Sequence, residues 1–220
     1  MKTLNITAIA LLVLLAISAG SCSEEEYNHR ALFSDIVTAT QNTPQGAEFE
    51  FIRYDDSPAV TFTAPGMAVK DELIGKRVLL RYYALSGNGS STENIEIAAL
   101  SPINCDTARV AAVDTIAWNA TPVYLNSIWR SGKYINLHLR VIYTETARLF
   151  NLTVDSATID DAVPQLYMCH DTFGAPDNYM FETYASYDIS KIWNRTTCTG
   201  IDIHINDSNL NKDIYSFKKQ

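Results

Sequence analysis

The residues of this sequence that could do chemistry begin with a cysteine, a histidine and an aspartate in a row, Cys169, His170 and Asp171. A cysteine beside a histidine can form a nucleophile and its base, or a pair of metal ligands. Residues 165–170 have the composition of a β-strand, in which adjacent side chains point to opposite faces. Cys169 and His170 therefore cannot address one substrate together. We interpret them as a buried thiol and a histidine that begins a turn.

The other candidate groups stand apart from one another. His138 and His204 each lie singly on a predicted strand, without a second ligand at the spacing of a metal site. Asp160 and Asp161 lie in a predicted loop, where a solvated pair is expected. The sequence has no Gly-rich phosphate loop, no zinc-protease motif and no nucleophile elbow. It predicts no catalytic residue, no cofactor and no metal, and thus a protein that is not an enzyme.

Composition limits the class of protein further. Of the 220 residues, 47% are hydrophobic and 10% aromatic, which is enough to fill a core and excludes a wholly disordered chain. The 25 acidic and 17 basic residues give a formal net charge of −8. This balance predicts no nucleic-acid partner, because such binding needs an excess of Lys and Arg to neutralise phosphates.

Residues 1–21 have the layout of an export signal. Lys2 precedes an uninterrupted apolar run at 8–17, which is too short to cross about 30 Å of hydrocarbon. Small residues then lead to Cys22, as in a bacterial lipobox, although Ala19 stands where a large aliphatic residue is usual. We predict a lipoprotein signal peptide over 1–21 and lipidation of Cys22, which would anchor the protein to a membrane through acyl chains. The alternative is an ordinary signal peptide in which Cys22 is incidental.

The residues after Cys22 indicate a destination. Ser23, Glu24, Glu25 and Glu26 resemble the surface-export signal of Bacteroidetes lipoproteins, a serine and an acidic run directly after the lipidated cysteine. They predict a lipid-anchored protein of the outer membrane that is displayed at the cell surface. Residues 22–46 include the stretch TATQNTPQG and are predicted to form a flexible acidic tether.

The rest of the sequence alternates apolar and polar residues with a period of two, which is typical of β-strands. Short runs separated by Gly- and Pro-bearing turns predict a small barrel or sandwich in the first part. The second part has longer runs, such as 134–143 and 148–154, with a tight turn at 130–133. The predicted fold class is all-β. A change in the residue pattern at 105–113 marks the expected domain boundary.

Four segments resemble those of NigD-like lipoproteins. They are GKRVLLRYY at 75–83, NSIWRSGKYINL at 126–137, LYMCHD at 166–171 and YASYDI at 184–189. Their order and spacing carry the resemblance, which spans the lipobox and most of the mature chain. It implies an OB-like β-barrel domain over residues 47–105 and a β-sandwich domain over residues 106–220. It implies no catalytic residue, and it connects the chain to bacteriocin-related gene clusters by name only.

OB-type barrels often bind nucleic-acid strands on a platform of aromatic and basic side chains, so this function is a hypothesis to consider. In this sequence Arg77, Arg81, Tyr82 and Tyr83 would form the platform. The acidic net charge and the predicted surface location argue against that function. Fold alone does not establish it.

Two functions of different classes remain open. One is a surface module that binds a protein or a glycan, and the other is a structural or accessory envelope lipoprotein without a small-molecule ligand. Exposed aromatic side chains from a set of six, if they line one face, would favour glycan binding, and burial of all six would favour the structural role. These residues are Tyr124, Trp129, Tyr179, Tyr184, Tyr187 and Trp193.

Two covalent features complete the predictions. With Cys22 lipidated, three cysteines remain, and Cys169 and Cys198 could form a disulfide, since an exported location permits one. The alternative is three buried free thiols. Thr107, Thr115 and Ser156 each follow an aspartate and precede a small or aliphatic residue, which resembles the O-glycosylation pattern of exported Bacteroidetes proteins. Chance supplies about one such match in this composition, so three is a mild excess.

Overall fold

A computed structural model of the chain describes residues 30–86, 92–176, 178–210 and 212–219. The described residues are mostly β-strands, with one short α-helix, α1, at Ser190–Trp193 and two 3-10 helices at Asp71–Leu73 and Val113–Thr115. None of the helices among them is long and apolar enough to cross a bilayer. The strands are β1 Leu32–Thr43, β2 Gly46–Phe51, β3 Val60–Pro65, β4 Arg77–Ser86, β5 Thr92–Pro102, β6 Asn104–Thr107, β7 Arg109–Ala111, β8 Tyr124–Ser131, β9 Tyr134–Ile142, β10 Leu149–Asp155, β11 Gln165–Asp171, β12 Met180–Asp188, β13 Gly200–His204 and β14 Ile214–Lys218.

The first five strands close into a barrel in the order β1-β2-β3-β5-β4. All neighbours are antiparallel except β3 and β5, which run parallel. This is the arrangement of an OB-type barrel. The interior is filled by alternate side chains of the strands, among them Phe49, Phe62 and Leu80, which are almost wholly buried.

The prediction of a flexible tether over 22–46 is wrong for the residues of β1. This strand pairs with β4 from Leu32 to Thr38 and with β2 from Thr38 to Thr43, and it buries Val37 and Ala39 completely. A barrel that began at residue 47 would leave β2 and β4 as open edges with unpaired backbone groups. Closure of the barrel therefore orders a segment whose polar stretch TATQNTPQG favours a linker.

The remaining strands form two sheets packed face to face, in the orders β14-β13-β11-β10-β7 and β6-β12-β9-β8. Alternate residues of β9 point into the space between them, namely Ile135, Leu137, Leu139 and Val141, as the period of two predicts. The predicted fold class, an all-β chain with an OB-like barrel followed by a β-sandwich, is confirmed.

Arg77, the first residue of β4, reaches from the barrel to the sandwich. Its Nε donates to Oγ of Ser186 at 3.1 Å and its Nη2 donates to Oδ1 of Asn136 at 3.0 Å. The guanidinium carbon also lies 4.4 Å from the centre of the Tyr134 ring. Burial lowers the pKa of Arg77 to about 10. Neutral oxygens and a ring face thus surround a buried cation where the two domains meet.

Arg130, near the end of β8, makes a second connection. Its two Nη atoms donate to the two carboxylate oxygens of Asp56 at 2.8 and 2.7 Å, a bidentate pair. Asp56 belongs to the barrel segment between β2 and β3, and its neighbour Asp55 donates its backbone N–H to the carbonyl of Arg130 at 2.8 Å. The hydrogen bonds from Arg130 hold the pKa of Asp56 below its usual range. Accordingly, barrel and sandwich fall within one compact unit, Leu32–Gln220.

Candidate functional site

The Cys169-His170-Asp171 segment forms the end of β11, and its side chains alternate as the sequence predicts. His170 lies on the inner face beside the Phe150 ring, 5.7 Å between centroids, and its Nδ1 is 3.2 Å from the carbonyl oxygen of Thr121. Since a carbonyl can only accept, Nδ1 carries the proton. Nε2 is buried without a hydrogen-bond partner among the described residues. Burial lowers the pKa of His170, which favours the neutral imidazole.

The other two histidines on strands stack against tyrosines. His138 lies 4.4 Å from the Tyr184 ring centroid, with its Nε2 2.6 Å from Glu182. His204 lies 4.4 Å from the Tyr167 ring centroid. Within the described ranges, no three His, Cys, Asp or Glu side chains gather closely enough to hold a metal ion. The side chains of His138 and His204 therefore form part of the surface of their sheets.

The cysteines of the described segments are free thiols, so the disulfide between Cys169 and Cys198 is not formed. Cys169 points to the outer face of its sheet, where its Sγ lies 3.6 Å from Oγ1 of Thr153. Cys198 belongs to the core between the sheets. The two thiols lie on opposite sides of one sheet, which explains why they do not pair. Cys105 is exposed, so the alternative of three buried thiols is also wrong for this residue.

The lipidation and export residues, Cys22, Ser23, Glu24, Glu25 and Glu26, lie outside the described residues, and their roles stay predictions. The three candidate glycosylation residues are exposed. Thr107 ends β6, Thr115 donates from Oγ1 to the carbonyl of Ala112 at 2.6 Å, and Ser156 follows β10. Exposure is what a glycan would require, and use of these sites also stays a prediction.

The six aromatic residues considered for glycan binding do not form one exposed face. Tyr187 and Trp193 are buried, whereas Tyr179 is 58% exposed. The remaining three, Tyr124, Trp129 and Tyr184, are half-buried. The proposed nucleic-acid platform is divided too, because Arg77 lies in the domain joint and Tyr82 points into the barrel.

A cleft of about 320 Å³ opens between the two sheets of the sandwich and is the candidate functional site. Sequence reasoning did not single out the residues that line it. From the four-stranded sheet come Asn104, Val141, Phe181 and Thr183. Phe150 comes from β10 of the five-stranded sheet, and Arg148 from the segment directly before β10. The cleft lies by the end of β9, whereas the domain joint lies by its beginning.

Arg148 is the charged group of this cleft. Its Nη1 donates to the carbonyl oxygen of Ile142 at 2.7 Å, and its guanidinium carbon lies 5.1 Å from the centre of the Phe181 ring. Desolvation lowers the pKa of Arg148, and the Tyr143 hydroxyl is the group that acts against that shift. A signal for it exists in the sequence, because Arg148 continues the inward-facing series of Phe150, Leu152 and Val154. A charged side chain at a position that continues an inward-facing series indicates a place where the core opens into a cleft.

Two tyrosines stand beside the cleft. Tyr143 and Tyr179 stack in parallel with their ring centroids 5.1 Å apart, and Tyr143 meets the edge of Phe181 at 6.0 Å. The backbone N–H of Tyr143 donates to the carbonyl of Tyr179 at 2.8 Å, which fixes the pair. Aromatic side chains with one exposed face are common anchors in binding sites. The arrangement can hold a ligand against rings and a cation.

The fold and the site define a class of protein, a two-domain all-β protein with an OB-type barrel before a β-sandwich and a cleft between the sandwich sheets. The family model described as the NigD-like C-terminal beta sandwich domain matches residues 111–219. Residues 111–219 are therefore a NigD-like C-terminal beta sandwich domain. None of the curated proteins matches the chain.

Solved structures from Bacteroides share the fold. A protein of unknown function from Bacteroides vulgatus is 13% identical with a TM-score of 0.62, and the match covers 86% of this chain and 90% of that chain. A NigD-like immunity protein from Bacteroides caccae is 17% identical with a TM-score of 0.60, covering 87% and 95%. A protein from Bacteroides fragilis named as a candidate lipoprotein is 13% identical with a TM-score of 0.59, covering 86% and 99%. None of these names denotes an enzyme.

Proposed function

We propose that this NigD-like protein is a lipid-anchored binding module of the outer membrane, displayed at the cell surface, which holds a partner protein at the sandwich cleft without catalysis. The observation that carries the proposal is the cleft itself, with a cation among rings and the Tyr143–Tyr179 pair beside it. Clefts that combine apolar walls with a few polar groups are the usual form of a binding site.

The absence of catalytic groupings among the described residues supports binding over chemistry. His170 is the buried imidazole nearest the cleft, and its protonated Nδ1 is engaged by a backbone carbonyl. Cys169 faces away from it, and burial raises the pKa of the Cys169 thiol, which disfavours the nucleophilic thiolate. The name of the B. caccae neighbour, an immunity protein, also accords with a role in binding.

The surface location rests on the sequence around Cys22 and on the lipoprotein name of the B. fragilis neighbour. A lipid anchor at Cys22 would leave a soluble two-domain body outside the membrane. The joint formed by Arg77 and Arg130 would then present the sandwich in a fixed orientation relative to the barrel.

Site-specific photocrosslinking on intact cells tests this function. A benzophenone amino acid replaces Tyr179 in the full-length protein, and the same amino acid replaces Tyr54 on the barrel as the matched control. These tyrosines are 58% and 60% exposed, so the two probes sample solvent equally. We expect a discrete protein adduct from position 179 and none from position 54.

The other outcomes overturn the proposal in distinct ways. No adduct at either position would favour a structural envelope lipoprotein. An adduct at 179 that a glycosidase removes would favour glycan binding. Equal adducts at both positions would indicate contacts that do not involve the cleft.

A further inference from the structure

The electrostatic character of the cleft is opposite to that of the whole chain. The formal net charge is −8, yet the cleft contains the Arg148 guanidinium, and no acidic side chain of the described segments lies within ion-pair distance of it. A guanidinium has five N–H donors. The described residues provide one acceptor for them, the carbonyl oxygen of Ile142 at 2.7 Å. This cation is therefore available to an anion that enters the cleft.

Three of the six residues that line the cleft are apolar. Phe150 and Phe181 face it from opposite sheets, and Val141 lies opposite Phe181 on the neighbouring strand β9. The Phe181 ring already carries the guanidinium on one side at 5.1 Å. A flat ring could lie against these aromatic side chains while a charged group attached to it meets Arg148.

The neighbouring groups do not compete for an anion. Asn104 donates from Nδ2 to the Phe150 carbonyl and to the Tyr187 hydroxyl, so it is engaged within the protein. His170, behind the Phe150 ring, favours the neutral form, and the charge of Arg148 is one of the causes that lower its pKa. Arg148 is thus the residue that would select for charge.

We propose that the cleft binds a carboxylate carried on a flat apolar group, with the carboxylate on Arg148 and the ring between Phe150 and Phe181. This inference rests on the proposed function, because it names the ligand chemistry of the same site. Two sources supply that chemistry. The C-terminal aromatic residue of a peptide accords with the partner protein of the proposed function, whereas a free aryl carboxylic acid would make the ligand of the same cleft a small molecule.

Fluorine NMR on the full-length protein in detergent tests the ligand class. The probes are 4-fluorophenylacetate and its neutral isostere 4-fluorophenylacetamide. The peptide acetyl-Ala-Ala-(4-fluoro)Phe is compared as the free acid and as the C-terminal amide. We expect the acids to bind at least roughly tenfold more tightly than the amides, since a charge-assisted bidentate contact is lost. The probe whose acid form binds more tightly, the free aryl acid or the peptide, identifies the source of the ligand.

Two variants locate the binding. Arg148→Gln removes the cation and should abolish the preference for the acid. Arg140→Gln is the matched control, because Arg140 also lies over an aromatic ring, that of Tyr124 at 3.9 Å, but outside the cleft. It should leave the preference unchanged.

Equal affinity of acid and amide for the unaltered protein would overturn the proposal, and that result does not depend on any variant folding. An acid preference that survives Arg148→Gln would overturn it as well. If the probes fail while the photocrosslink at position 179 forms, the ligand class is wrong and the binding function stands. If both fail, the function itself is wrong.

Discussion

The Nη2 atom of Arg77 lies 3.0 Å from Oδ1 of Asn136, so a barrel strand and a sandwich strand share a buried hydrogen bond. Oγ of Ser186 donates to the same oxygen at 2.8 Å, and Nδ2 of Asn136 donates to Oγ of Ser131 at 2.8 Å. The arginine is thus surrounded by neutral groups of the joint. Such a network favours one arrangement of the two domains, because other arrangements leave buried polar atoms without partners.

We expect Arg77→Met to lower the free energy of unfolding by about 2–4 kcal/mol, because buried acceptors lose their donor. Urea denaturation followed by tryptophan fluorescence measures this change. Arg81→Met is the matched control, since Arg81 is exposed on the same strand, and it should change the stability by less than about 0.5 kcal/mol. Similar small losses for both variants would contradict the role of Arg77 in the joint.

The segments that resemble the NigD-like proteins supply most of this joint. Arg77 comes from 75–83, while Arg130 and Asn136 come from 126–137, and Ser186 comes from 184–189. Sequence reasoning could recognise these segments and their strands, because the alternation of apolar residues is local. It could not predict that Arg77 is buried, because its partners lie 59 and 109 residues away along the chain.

The candidate site was less predictable than the fold. Strand β1 was missed because its pairing with β4 is long-range and its composition resembles a linker. Arg148 precedes β10 in phase with Phe150, and that signal was present in the sequence. The Tyr143–Tyr179 stack joins residues 36 positions apart, so only the pairing of β9 with β12 brings these rings together.

Stability should fall as the pH drops below about 6.5, the ordinary pKa of histidine. Burial lowers the pKa of folded His170 below 6.5, so the unfolded chain takes up a proton that the folded chain does not. Burial lowers the pKa of His204 in the same direction. The contribution of these two histidines to the free energy of unfolding is therefore fully present above about pH 6.5 and is lost as the pH falls below it.

Replacement of His170 by Gln should remove part of this pH dependence, because His204 contributes to it in the same direction. Melting temperatures of both proteins between about pH 7.5 and about pH 5 measure the effect. An undiminished acid loss in His170→Gln would contradict the assignment.

A thiol reagent should modify one described cysteine in the native protein. Cys105 is exposed, whereas Cys169 and Cys198 are buried, and burial raises the pKa of Cys169. Intact-mass analysis should therefore show one adduct before denaturation and three after it, if Cys22 is blocked by the predicted lipid. Cys105→Ser should lose the native adduct. Two fewer adducts in denaturant would reveal a disulfide and contradict the free thiols.

Cys22→Ala should abolish acyl labelling, because the predicted lipidation attaches the acyl chains to the Cys22 thiol. Replacement of Glu24, Glu25 and Glu26 by Ala should keep the lipid but leave the protein on the periplasmic side of the outer membrane. Protease treatment of intact cells measures display. Equal removal of the triple variant and the unaltered protein would show that the acidic run is not an export signal.

The most direct measurement of the central claim is hydroxyl-radical footprinting of the full-length protein on intact cells and after purification. If a surface partner occupies the cleft, modification of Tyr179 should fall severalfold on cells, because its exposed ring is then covered. Tyr54, which is equally exposed on the barrel, should be modified to the same extent in both samples. Equal modification of Tyr179 on cells and in purified protein would contradict a binding function at the cleft.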